Sequence, residues 1–304
     1  MSSLKDIPVL ITGATGYIGS CLAKRLVTIG CKVSVLVRSS SKLTLIEPIC
    51  EKIDIYQYDG TYESVENSIK LAKPQIVYHL ASFASIQYKS SDINNMVHSN
   101  VLFGTFLAEA MVNCNVKYLI NTSSYSQHVN QEQYNPNSLY AATKQAYEDI
   151  LRFYSTKLNI INLVLFDNFG PNDPRPKIMN LLYQSFVEKS TLLMSPGEQY
   201  LDLLYIENVI DAYIVAAKHL STGRIKGFER FSVSSENRIK LKELVRLFEQ
   251  IAKSTIDVRW DLDYRPGEIM VPWNKGRLLP DWQPRIPLED GIRLLITKNH
   301  EKKT

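Results

Sequence analysis

"ITGATGYIGS", residues 11–20, decides how the rest of the chain is read. Gly13, Gly16 and Gly19 follow a short apolar run and open a segment of helical periodicity. Between a strand and a helix each glycine has a task. Gly13 makes the tight turn, Gly16 lets backbone come close to a pyrophosphate, and Gly19 lets the helix pack closely on the sheet. The helix then begins at Tyr17 and Ile18 with unpaired N–H groups and the positive end of its dipole, which together attract phosphate.

The stretches on either side have the texture that this turn requires. "IPVLITGA", "KVSVLV", "KIDIYQY", "QIVYHLA", "VKYLINTSS" and "IINLVLF" are short apolar runs without clean alternation, as in strands buried on both faces. Helical segments fall between them at 61–72, 92–114 and 138–158, and Gly30 stands where the first helix should stop. The pattern predicts an α/β fold, a Rossmann-like doubly wound parallel sheet over residues 1–170. "GPNDPRPK" (170–177) then reads as an irregular connection. Helices are predicted near 177–189, 207–219, 240–253 and 288–297, with β-like runs at 200–205, 229–233 and 256–260. Residues 171–304 are therefore read as a smaller α+β substrate lobe, with chain exchange between the lobes allowed, and the tail "KNHEKKT" is expected to fray. The ligand is expected in the cleft between the two parts.

Composition narrows the function classes. The chain has 304 residues, 45% apolar and 22% charged, with a net charge of +4. That charge is small for the length and no basic stripe is present, so no nucleic-acid partner is expected. No apolar run reaches the roughly twenty residues that span a bilayer, and no signal-peptide pattern opens the chain, so a cytoplasmic protein with no membrane partner is expected. Cys21, Cys31, Cys50 and Cys114 are scattered without metal-binding spacing and read as reduced, mostly buried thiols.

One further pair stands out. In "SLYAATKQAYEDI" (138–150), Tyr140 and Lys144 are four residues apart and share one helix face. Taken alone, such a pair is more often surface decoration than chemistry. It gains weight from its company: TGATGYIG at 12–19, HLAS at 79–82, SNVLFGT at 99–105, NTSS at 121–124, FDNFGP at 166–171 and YRPGE at 264–268. In this order the set resembles the short-chain dehydrogenase/reductase superfamily over nearly the whole chain. The branch it resembles is the extended one, of NAD-dependent sugar-nucleotide epimerases, dehydratases and reductases.

The resemblance implies site residues. Tyr140 would be the acid/base and Lys144 would stabilise its phenolate. Ser123 would be the catalytic strand-end hydroxyl, with Thr122 and Ser124 leaving that assignment open by one place. The dinucleotide would meet Gly13, Gly16, Tyr17, Ile18 and Gly19, then Asp59 and Gly60 at the adenine, Leu80, Ala81 and Ser82 along the pyrophosphate and ribose, and Phe166 at the nicotinamide, besides Tyr140 and Lys144. The substrate, a nucleoside-diphosphate sugar, would meet Ser124, Tyr125, Asn168, Lys177, Arg265 and Glu268. No metal is implied. The helices at 92–114 and 138–158 resemble the pair that forms a homodimer in this family. His79 reads as structural and His128 as a candidate substrate contact.

Arg38 bears on the cofactor. It ends the second strand in "VSVLVRSSSK", where an acidic residue would bind the ribose hydroxyls of NAD. An arginine suits a 2′-phosphate instead, so NADP(H) is favoured, with NAD(H) as the alternative. The subclass follows from departures. Ser124 and Tyr125 stand where the family's 4,6-dehydratases carry an Asp-Glu pair, which argues against dehydration. An exchangeable NADPH points to a net reductase rather than an epimerase that retains NAD. The closest resemblance is to nucleotide-sugar 4-ketoreductases of the CDP-abequose/CDP-paratose synthase type, acting in deoxysugar or O-antigen precursor synthesis. A 4-epimerase is the alternative, and a nucleotide sensor without catalysis is a third reading. Leu201 replaces the arginine that many relatives place before Asp202, so a diphosphate anchor is expected elsewhere, with Arg175 and Lys177 as candidates.

Overall fold

The computed structural model describes residues 4–85 and 87–300. The chain runs β1 (Pro8–Thr12), α1 (Tyr17–Ile29), β2 (Lys32–Arg38), β3 (Ile53–Tyr58), α2 (Tyr62–Ala72), β4 (Ile76–His79), α3 (Ile93–Val97), α4 (Phe103–Asn113), β5 (Tyr118–Ser124), α5 (Leu139–Tyr154) and β6 (Asn159–Leu165). It continues through β7 (Asp167–Phe169), α6 (Ile178–Glu188), β8 (Leu192–Leu193), β9 (Tyr200–Tyr205), α7 (Ile206–Ser221), β10 (Phe228–Val233), β11 (Arg238–Lys240), α8 (Leu241–Ala252), β12 (Val258–Arg259) and α9 (Leu288–His300).

Seven strands form one sheet in the order β10-β6-β5-β4-β1-β2-β3, and every pair is parallel. Along each strand alternate residues enter different cores. Val9, Ile11, Tyr78 and Ile120 pack on one side with α1 and α7. Leu10, Val77, Leu119 and Ile160 pack on the other with α2, α4 and α5. Both faces are apolar because both are covered, which is why the strands showed no alternation in sequence. The strand order reverses between β1 and β4, and a crevice opens there at the carboxyl ends of the strands.

The chain beyond residue 170 divides between two places. α7 lies on the large sheet against β5 and β6, and β10 joins that sheet beside β6. The run at 229–233, assigned to the small lobe from sequence, is thus the seventh strand of the main sheet. Its last residues, Phe231 and Val233, are buried. The rest builds a three-stranded sheet, β11-β9-β7, and a two-stranded pair, β12-β8, over the strand ends.

Two further differences concern helices. The segment expected as one helix over 92–114 is α3 and α4 joined by a π-helical turn, His98–Leu102. Such turns widen a helix locally and re-aim side chains; this one carries Asn100 inward, 1% exposed. The tail expected to fray is helical through His300, and residues 301–304 lie outside the described residues. Of the four free cysteines only Cys31 is buried; the other three are half-buried. Ile93, Val97 and Leu102 leave apolar side chains exposed, as does Phe153 on α5. Among the described residues no helix is long and apolar enough to cross a membrane, and no group of acidic, His and Cys residues could hold a metal ion.

The turn after β1 is as tight as the sequence requires. A Cβ on Gly13 would lie 2.5 Å from the Ala81 nitrogen, and φ there is +76°. A Cβ on Gly19 would press into the Gly13 carbonyl. Gly19→Ala should therefore lower stability by about 1–3 kcal/mol, the usual cost of overpacking. Urea unfolding measures this, and an unchanged midpoint would contradict the packing described.

Candidate active site

The crevice between β1 and β4 is built from backbone. Helix α1 has Gly16 as its N-cap, which offers no side chain to cap it, and no acidic residue lies in the first turn. The first N–H groups of Tyr17, Ile18 and Gly19 thus face outward without a protein acceptor. This cradle fits a dinucleotide pyrophosphate by shape and by partial charge. Opposite it, the Leu80 nitrogen donates to the Thr12 carbonyl, and the Ala81 nitrogen donates to Thr12 Oγ1. Thr12 Oγ1 also bonds His79 Nδ1 at 2.7 Å. His79 is 1% exposed, and burial together with the nearby Lys144 charge lowers its pKa to about 3. It is a neutral structural residue.

Ser82 begins the polar cluster around Tyr140. Its hydroxyl donates to Asn100 Oδ1, which also accepts from the Phe83 nitrogen, while Asn100 Nδ2 donates to the Phe83 carbonyl and to Thr143 Oγ1. One buried amide therefore ties the 81–83 segment to α5. Ser138 caps α5 by accepting from the Ala141 nitrogen. Tyr140 follows in the first turn, and its hydroxyl lies near the side chains of Ser82 and Ser124. Burial raises its pKa, while the two serines and the Arg175 charge pull it down. Lys144 lies one turn on, 3% exposed, and its Nζ donates to the Thr122 carbonyl at 2.9 Å. Burial lowers its pKa to about 8.

Ser123 does not take the place expected for it. Successive residues of a strand face opposite ways, and Ser123 faces inward. It is 2% exposed and its hydroxyl donates to Gln127 Oε1. Ser124 is the strand-end hydroxyl beside Tyr140. Gln127, fully buried, also accepts from the Ser124 nitrogen at 3.1 Å and donates to Gln145. Sequence held a signal for this: Ser124-x-x-Gln127 is a capping box around the turn that follows β5.

The other expected residues separate into three groups. Arg38 ends β2 exposed, and its guanidinium has no hydrogen-bond or ion-pair partner among the described residues. Asp59 and Gly60 follow β3; Asp59 Oδ1 accepts from the Thr61 nitrogen and hydroxyl, which lowers its pKa. Phe166, expected beside a nicotinamide, is 4% exposed and stacked on Tyr125 with centroids 4.9 Å apart, in a cluster with Val164 and Trp273. His128 is not open to substrate either: it is 1% exposed and stacked on Trp273.

The substrate candidates do gather. Tyr125 donates to Asp167 Oδ2, and Lys177 donates to Asp167 Oδ1 at 3.2 Å. Glu268 lies near enough for its charge to act on Tyr125, and burial raises its own pKa. A turn joins it to the exposed Arg265, and Asn137 Nδ2 holds that turn through the Gly267 carbonyl. Asn168 Oδ1 accepts from Arg175. Tyr140, Ser82 and Ser124 thus form the centre, with the pyrophosphate cradle on one side and a polar cluster on the other.

Residues 9–230 match the model of the NAD dependent epimerase/dehydratase family. The chain belongs to that family of NAD(P)-dependent enzymes. It is 29% identical over 277 residues to CDP-abequose synthase of Yersinia pseudotuberculosis, covering 88% of this chain and 93% of that one. It is 25% identical to UDP-glucose 4-epimerase of Mycolicibacterium smegmatis, covering 93% and 95%. Its fold matches the structure of UDP-glucose 4-epimerase from Stenotrophomonas maltophila with bound NAD and formylated UDP-arabinopyranose. There the TM-score is 0.87 at 20% identity, with 98% of this chain and 99% of that one covered.

The buried lysine is directly testable. Below pH about 8 Lys144 carries its charge in the folded protein, and above it the ammonium deprotonates, although a free lysine stays charged to about 10.4. Nitrogen-15 NMR of the lysine Nζ groups should show one that titrates near 8. If every lysine titrates above 10, the environment assigned to Lys144 is wrong.

Proposed function

We propose that this protein reduces the 4-keto group of a nucleotide-linked 6-deoxy- or 3,6-dideoxyhexulose with NADPH. The observation that carries the reading is the Tyr140 hydroxyl, set near the side chains of Ser82 and Ser124 one helical turn from the buried Lys144. A phenol of ordinary pKa, about 10, is already protonated at neutral pH, and burial raises that pKa further, so Tyr140 enters the reaction as an acid.

NADPH held at the α1 cradle, with its 2′-phosphate against Arg38, would supply the hydride for the carbonyl carbon. Tyr140 gives its proton to the carbonyl oxygen as charge develops there. Ser124 hydrogen-bonds the same oxygen and stabilises that charge. Lys144, charged below pH about 8, stabilises the phenolate left behind. Lys177 and Arg265 would meet the diphosphate of the substrate, in place of the arginine that Leu201 replaces.

Two sequence features favour reduction over the other chemistries of the family. With Ser124 as the strand-end hydroxyl, the two positions directly after it are Tyr125 and Ser126, not the Asp-Glu pair that would serve dehydration, and the Tyr125 hydroxyl is engaged by Asp167. The unpaired Arg38 favours a cofactor that exchanges at each turnover. The likeness to CDP-abequose synthase agrees with this reading. The likeness to a UDP-glucose 4-epimerase keeps epimerisation as the alternative, in which NAD stays bound and added NADPH is not consumed.

NADPH oxidation against a panel of CDP-, dTDP-, GDP- and UDP-linked 4-keto-6-deoxyhexoses tests the proposal. Tyr140→Phe should lower turnover by roughly 10²–10⁴-fold while NADPH binding changes little. Ser124→Ala should cost more turnover than Ser123→Ala. Arg38→Asp should move the ratio of kcat/KM with NADPH to kcat/KM with NADH toward NADH. Full activity in Tyr140→Phe would end the catalytic assignment, and an unchanged cofactor ratio would end that of Arg38.

A further inference from the structure

The three-stranded sheet β11-β9-β7 carries two cations, Arg238 and Lys240, both on its edge strand β11. Strands β9 and β7 carry none. Lys240 is satisfied: its Nζ lies 2.9 Å from a Glu198 carboxylate oxygen and over the Tyr200 ring. Arg238 is not. The residue is half-buried, its Nε is buried without a hydrogen-bond partner, and its guanidinium makes no ion pair among the described residues. A buried donor on a charged group that lacks an acceptor calls for an explanation.

The nearest carboxylate does not supply one. Asp202 stands directly opposite Arg238 on β9 and is 1% exposed. Its oxygens accept from the Ser234 hydroxyl and from the Ser235 nitrogen, at the end of β10. The guanidinium is thus left with its fork free beside a carboxylate already engaged elsewhere. Arg175 and Lys177, the other cations near the site, are each held by a carboxylate, Asp173 and Asp167.

Register gives the direction in which Arg238 leaves the sheet. Residues directly opposite across a strand pair share a face, and so do residues two apart on one strand. Arg238, Asp202 and Leu204 therefore share a face, and Leu204 stands beside Asn168 of β7. This is the face toward the end of β10 and toward Tyr125, on which the Asp202 charge acts. Leu201 and Ile239 take the opposite face and pack among apolar core residues. With strands about 4.8 Å apart and a rise of about 3.3 Å per residue, the Cα atoms of Arg238 and Asn168 lie roughly 12 Å apart.

We propose that Arg238 binds the diphosphate of the substrate, its free guanidinium on β11 supplying the cation that Leu201 removes from β9. The proposal rests on the reading of the substrate as a nucleoside-diphosphate sugar. A planar fork of donors suits phosphate oxygens, and a half-buried position strengthens the pairing over an exposed one. Arg238 is a binding residue and takes no part in proton transfer.

Calorimetric titration of the full chain with CDP, UDP and GDP, and separately with NADP⁺, tests it. Arg238→Gln should weaken the best-bound diphosphate at least about tenfold and leave NADP⁺ affinity within about twofold. Arg238→Lys keeps the charge beside Asp202 but lacks the fork, and should still lose at least about threefold. Lys240→Gln removes the same charge from the same strand and should change diphosphate affinity less than twofold. The thermal midpoint reports folding separately. Should Arg238→Gln fail to fold, Arg238→Lys alone decides. A folded Arg238 variant that binds diphosphate as the wild type does, or an equal loss in Lys240→Gln, would overturn the proposal and leave the substrate reading intact. A wild-type protein that bound NADP⁺ but none of the diphosphates would overturn that reading and the proposal with it.

Discussion

Backbone meets backbone where the turn after β1 approaches the segment after β4. No side-chain atom fits on Gly13 because the Ala81 nitrogen occupies its place. That contact brings the start of α1 and the 80–82 segment to the same crevice, at the point where the strand order of the sheet reverses. A cradle for phosphates and a wall that leads to Tyr140 are thereby set side by side. The sheet supplies rigidity, since both of its faces are buried.

From the wall to the reacting centre the structure relies on buried amides. Asn100 holds Ser82 and the Phe83 backbone to α5. Gln127 holds the Ser124 nitrogen, and through Glu148 it reaches Asn162, Arg152 and Arg230. Glu148 is fully buried, and its carboxylate oxygens accept from all of those partners. Tyr140 and Glu148 lie on the same helix, two turns apart. The network therefore fixes the end of β5 against α5, which holds Ser124 near Tyr140.

Much of this was legible in the sequence because it depends on local pattern. The glycine turn, the six strands through residue 165 and the Tyr140–Lys144 pair all follow from spacing and periodicity. What was not legible depends on tertiary pairing. The choice between Ser123 and Ser124 turns on which face of β5 meets α5, and three adjacent hydroxyl residues leave that phase open. β10 looks like any short apolar run until β6 is seen beside it. Phe166 carries a motif residue's position but is drawn into an aromatic cluster with Trp273, more than one hundred residues away, which no spacing announces. Arg175 appeared as one cation in a proline-rich connection, and only the fold brings Tyr17 beneath it.

The central claim is that hydride enters the substrate from an exchanging cofactor while Tyr140 supplies the proton. Turnover of a nucleotide-linked 4-keto-6-deoxyhexose with NADPH deuterated at nicotinamide C4 tests it most directly. Run separately with each face labelled, one face should place a single deuterium on the former ketone carbon in stoichiometric amount. Product free of label from both faces, together with C4 inversion of a non-keto nucleotide sugar, would contradict the account and leave an epimerase in its place.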